Sequence, residues 1–244
     1  MEYLHVNYEP PLPTWIPAII ARLNSSSSST LRERAKVWSE SSLREAGFAL
    51  ATKLVILAMV IRRVDNQLSR LGEQFCDRSL LDENIRRVAG YILADKMLPY
   101  EILLDIDSFL FESRSTYEIV GNFLRQLFDK ILGRRIDEAE LKQFLEFRNI
   151  DTRWISELRD DRILFFHKTA PWIALGVISR EPFRFELVVL KKDVRNLDTS
   201  EDCISFERLR AIYRGFESSL HALPQWILEQ IQEFEEKEAS KQGL

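Results

Sequence analysis

The stretch "EILLDIDSFLFESRSTYEIVGNFLRQLFDKIL", residues 101–132, decides the fold class. Leu103, Ile106, Leu110, Tyr117, Val120, Leu124, Leu127 and Ile131 recur at helical spacing. Such a pattern predicts one long helix with a single apolar seam against a core. Pro99 suits its first turn and Gly133 its end. Between Leu110 and Tyr117 the seam passes through Ser113 and Arg114. Asp107, Phe111, Arg114 and Glu118 are spaced four, three and four apart, so they share one helix face. An arginine in or beside a seam is costly unless paired. Arg114 therefore reads either as the partner of Asp107 or Glu118 at the core edge, or as part of a polar cleft.

Working outward, the same periodicity dominates. "TWIPAIIARL" predicts a short amphipathic helix, after a proline-rich start that reads as extended. "NSSSSST" reads as a flexible linker by composition. Thr30 and Glu33 then fit a capping box for a short helix, and Ser42 and Glu45 fit another for a long one over about 43–71, with Gly72 at its left-handed end. Further helices are predicted near 79–95, from Asp137 to about 148, and from Asp151 or Thr152 toward Pro171. "WIALGVIS" and "FRFELVVLKK" are rich in β-branched and aromatic residues and predict an antiparallel hairpin over about 172–190. Helix resumes near 204, with a break or kink expected at Pro224. The fold class read here is mainly α: a helical bundle of long antiparallel helices with one small β-hairpin appendage. The organisation is an N-terminal segment and Ser-rich linker over 1–29, one helical domain over 30–236, and a frayed tail over 237–244.

The 244 residues are ample for a sizeable core. A net charge of -4 argues against a DNA-coating protein, which needs a broad basic surface. Only Cys76 and Cys203 are present, without metal-site spacing, which points to a reducing compartment and hence cytoplasm. The apolar run at 46–61 is too short for a membrane span and contains Lys53, so it reads as a core helix. No glycine-rich phosphate loop, nucleophile elbow, zinc-protease motif or dinucleotide fingerprint occurs in the sequence. With three scattered histidines, no metal or cofactor is expected.

One stretch carries chemistry: "RDDRILFFHKTAPW", residues 159–172. Arg162 and His167 are separated by four residues. A guanidinium grips phosphate through a fork of N–H donors, and an imidazole exchanges a proton near neutral pH. Together they suit RNA cleavage without a metal, His167 moving the proton and Arg162 stabilising charge on phosphorus. On an ideal helix five residues rotate by about 500°, so the two side chains leave the axis about 140° apart.

The Arg-x4-His spacing near the end of a late helix, after the polar-studded helix "LDIDSFLFESRSTYEIV", resembles the HEPN superfamily of helical bundles. The resemblance covers roughly residues 30–230 in helix order. It implies a dimer whose two motifs face a shared cleft, and metal-independent endoribonuclease activity of toxin or defence type in the catalytic branches. Arg162 and His167 would be the catalytic pair, and Arg159, Asp160, Asp161, Lys168, Asp107, Arg114 and Glu118 the supporting residues. Arg159 remains an alternative partner for His167. Ile163 follows Arg162 where catalytic branches carry a polar residue, which favours the alternative: a non-catalytic interaction or nucleotide-binding module.

Overall fold

The computed structural model describes residues 15–37, 42–74, 96–167, 172–180, 183–190 and 203–241. The helix predicted near 79–95, the extended first dozen residues, Cys76, Lys168 and Pro171 lie outside them. Among the described residues the chain is mainly helical, with seven α-helices and a three-stranded sheet. These are α1 (Trp15–Asn24), α2 (Ser29–Lys36), α3 (Ser42–Gln74), α4 (Leu98–Leu127), α5 (Glu138–Phe147), α6 (Arg153–His167) and α7 (Phe206–Lys241). The strands are β1 (Trp172–Arg180), β2 (Phe183–Leu190) and β3 (Cys203–Ser205).

The deciding stretch is one helix, as its seam requires. Ile106, Leu110, Tyr117, Val120, Leu124 and Leu127 are buried, and Ser113 is buried among them. A π-helical turn, Phe128–Leu132, extends α4 and ends at Gly133, whose φ of 67° is left-handed. The left-handed φ is what calls for glycine there. An added Cβ would lie 2.9 Å from the Arg34 guanidinium, which donates to the Ile131 carbonyl at 2.8 Å. The apolar run at 46–61 lies within α3, and among the described residues no helix is long and apolar enough to cross a membrane.

Two compact units emerge, one of residues 1–55, 115–155 and 213–244, the other of 56–114 and 156–212. The first is held by aromatic packing. Trp154 meets Tyr117 and Phe216 edge-on, at 5.5 and 5.4 Å, and Phe144 stacks on Trp226 at 4.8 Å. Gly215 lets α6 and α7 approach closely, because a Cβ there would collide with the Trp154 ring and its Cβ. In the second unit α3 and α4 run antiparallel, as the pairs Arg63–Asp105 and Arg70–Glu101 require. The sheet also lies in this unit. β1 pairs antiparallel with β2, Trp172 opposite Leu190, with a register shift between Val177 and Ser179. β3 adds antiparallel to β2, Val189 opposite Ile204.

Four expectations are corrected. The serine run is not a flexible linker. Ser26 and Ser28 are buried, and Ser28, not Thr30, caps α2 by accepting the Leu31 N–H at 3.1 Å. A polar run folds in because acidic partners wait for it: Ser26 donates to Glu235, and Ser28 and Thr30 donate to Glu238. The tail from 237 is not frayed in its described part, since α7 continues to Lys241 with Glu238 so engaged. Gly72 lies inside α3 and does not end it. Pro224 does not break α7: Leu223, Trp226, Ile227 and Ile231 are all buried around it, and their packing outweighs the missing Pro N–H.

Glu235 also accepts from Arg22 at 3.0 Å and from the Ser27 N–H at 3.1 Å. The Arg22 guanidinium holds its carboxyl below the ordinary value near 4.5, with Ser26 and Ser27 adding to this against the opposing effect of burial. A depressed carboxyl contributes stability that is full above the unfolded value and lost as pH falls through the folded one. Thermal unfolding from pH 7 to pH 3 should therefore show a steep loss below about pH 4.5. Glu235→Gln should lower the neutral-pH plateau by about 1–2 kcal/mol and flatten that loss. Gly215→Ala should lower the melting temperature by an amount equivalent to about 1–3 kcal/mol, although alanine is the better helix former.

Candidate functional site

The sequence motif lies on the last turns of α6, a helix whose start is tied down locally. The Asp151 carboxylate accepts the Arg153 N–H at 2.9 Å, and Asn149, with a φ of 57°, turns the chain into it. The helix is continuous to His167, and strand β1 begins five residues later.

Asp161 fixes the rotation of this helix. It is buried, and Arg208 of α7 meets its carboxylate at 2.8 Å. Arg208 is itself mostly buried, at 26% side-chain exposure. Its backbone N–H is accepted by the Ser205 hydroxyl at 3.2 Å, where β3 passes into α7. Ion pairs of the same unit extend the network. Arg63 of α3 reaches the buried Asp105 of α4, and Arg210 of α7 lies 3.7 Å from Asp65 of α3. Three carboxylate–guanidinium pairs thus join α3, α4, α6 and α7.

The other motif residues take different places. Arg159 and Asp160 are exposed and pair with each other at 3.4 Å. The α6 backbone is helical at Arg162 and His167, five residues apart, so the two positions diverge by about 140° around one continuous helix. Seen along the axis, position 160 lies within about 20° of position 167, and position 159 within about 80°, so Arg159 is nearer in phase to His167 than Arg162 is.

On α4, Asp107 and Arg114 are half-buried and Glu118 is exposed. With Phe111 they share one face, flanking the seam that buries Leu110 and Ser113. Dehydration raises the Asp107 carboxyl above its ordinary value. Asp161 is buried as the ion-pair partner of another helix, and Arg114 is half-buried.

Asp105, Arg63, Asp65, Arg208 and Arg210 were not singled out from the sequence. Asp105 could have been: it stands with Ile102, Ile106 and Phe109 at core spacing, where a carboxylate must find a cation. Arg208 carries no such signal, since its partner lies 47 residues earlier.

No protein-family model, no curated protein and no solved structure matches this chain.

Removing one partner of the buried pair should be far more damaging than removing an exposed one. Asp161→Ala should cost about 3–5 kcal/mol in urea unfolding, because Arg208 keeps its charge in the interior. Asp65→Ala should cost no more than about 1 kcal/mol.

Proposed function

We propose that this chain is a HEPN-like helical protein that acts on RNA as a metal-independent endoribonuclease. His167 is the proton-transfer group, and Arg162 binds and stabilises the phosphate. One observation carries the reading: the Arg-x4-His segment occupies the last two turns of a helix whose rotation is set one residue earlier by the buried Asp161–Arg208 pair. A catalytic pair needs such support, since proton transfer and charge stabilisation fall away when groups are misplaced by about an ångström. Because positions 162 and 167 diverge on one helix, this reading builds the working cleft from two copies of the chain, each supplying part of it. Asp160, in phase with His167, and Arg159 are the supporting residues nearest to it, with Lys168 next in sequence. Asp107, Arg114 and Glu118 act from α4.

The same divergence favours a second reading, a non-catalytic HEPN-like module that binds a protein or nucleotide. Ile163 beside Arg162 agrees with it.

Single-stranded and structured RNA incubated with the purified protein in EDTA separates the two. Under the first reading cleavage proceeds, His167→Ala lowers its rate by about 10²- to 10⁴-fold, and Arg162→Ala abolishes it with the melting temperature unchanged. Comparison with Arg159→Ala identifies the arginine that works with His167. Intact RNA with the wild-type protein would move the assignment to the second reading.

A further inference from the structure

The turns of α6 that lead toward position 167 present a loosely held pair of charges. Arg159 is 64% exposed and Asp160 59%, and Arg159 Nε reaches Asp160 Oδ1 at 3.4 Å. Exposed pairs of this kind hold each other weakly, so both groups are open to a ligand. Arg153, on the same helix, is engaged differently: its Nε donates to both oxygens of Asp151, at 3.0 and 2.8 Å. Asp160 lies within about 20° of position 167 around the helix and about 10.5 Å back along it. One residue further on, Asp161 is buried against Arg208, which fixes the rotation of this turn.

A carboxylate beside an RNA strand repels the phosphates and can only accept hydrogen bonds. The groups of RNA that donate are the base N–H groups and the 2′-hydroxyl. Guanine alone among the four bases sets two donors side by side on its Watson–Crick edge, N1–H and the 2-amino group, and these match the two oxygens of a carboxylate. Cytosine and adenine place an acceptor next to their amino group, and uracil flanks its one N–H with two carbonyls. We propose that Asp160 reads a guanine beside the phosphate on which His167 acts, accepting from both donors. Arg159 grips the backbone of the same nucleotide through its fork of N–H groups. The Watson–Crick edge is open only in an unpaired base, so the substrate class is single-stranded RNA carrying guanine next to the cut.

This inference rests on the RNA-cleaving reading above and names its substrate. A random-sequence RNA pool, cleaved by the full chain in EDTA and sequenced at the new ends, should show guanine enriched at one fixed position beside the cut. Guanines held in a duplex should be spared. Asp160→Asn should lower the ratio of cleavage at guanine sites to cleavage elsewhere by about tenfold or more, with the melting temperature unchanged, since Asp160 is exposed. Asp160→Glu, which keeps the carboxylate, should restore part of that preference. Inosine, which lacks the 2-amino group, should slow the wild type in place of guanine and leave Asp160→Asn indifferent, an outcome that a merely structural role would not produce. Cleavage without base preference would overturn this inference and leave the nuclease reading standing. So would a guanine preference that survives Asp160→Asn, or inosine discriminated equally by both proteins. Intact RNA would overturn the two together.

Discussion

A buried carboxylate on α6 obliges the surrounding helices to supply a cation. Asp161 cannot stay charged in the interior unless it is paired, and Arg208 enters from α7 to meet it. Ser205 accepts the N–H of that same Arg208, so the end of β3, the start of α7 and the rotation of α6 are settled within one group of contacts. A slip of α6 by one residue would turn every side chain on it by about 100° and withdraw Asp161 from its partner. The Arg-x4-His segment begins at the next residue and inherits that constraint.

Both compact units use ion pairs, which in the first join Arg22 to Glu235 and Arg148 to Glu229. In that unit large rings also interlock: Trp154 with Tyr117 and Phe216, and Trp226 with Phe128 and Phe144. In the other, ion pairs link helices around Asp105 and Asp161, while Leu187 to Leu190 and Ile204 bury the sheet. Ring packing tolerates little change in shape, as Gly215 beneath Trp154 illustrates. Ion pairs add direction, because a misplaced helix leaves a charge without its counter-ion.

Patterns that repeat within one element were legible before any coordinates. The seam of α4, the Asp137 cap of α5 and the antiparallel pairing of β1 with β2 follow from local periodicity, capping chemistry and the β-branched and aromatic content of the two strands. What escaped depends on partners distant in sequence. The serines at 25–28 read as linker because composition reports their solubility, not the glutamates about two hundred residues away. Strand β3 has three residues, too few for a period to show. Pro224 reads as a breaker because local rules omit the apolar residues that hold α7 on either side of it. Of the candidate site, the helix and its position near the strand were legible. The burial of Asp161 was not, since it depends on where Arg208 arrives.

The serine–glutamate contacts have a consequence for how the protein is made. Ser26 and its partner Glu235 are 209 residues apart, and Arg22 is 213 from the same carboxylate. A ribosome builds the chain from its N-terminus, so α1 and α2 emerge long before the end of α7 that receives them. Until then Ser26, Ser28 and Arg22 must be satisfied by water, and Ile16, Ile19, Leu23 and Leu31 lack the neighbours that later bury them. The first helices made are among the last to settle, which gives the nascent chain a prolonged interval of exposed apolar surface and a natural claim on chaperones.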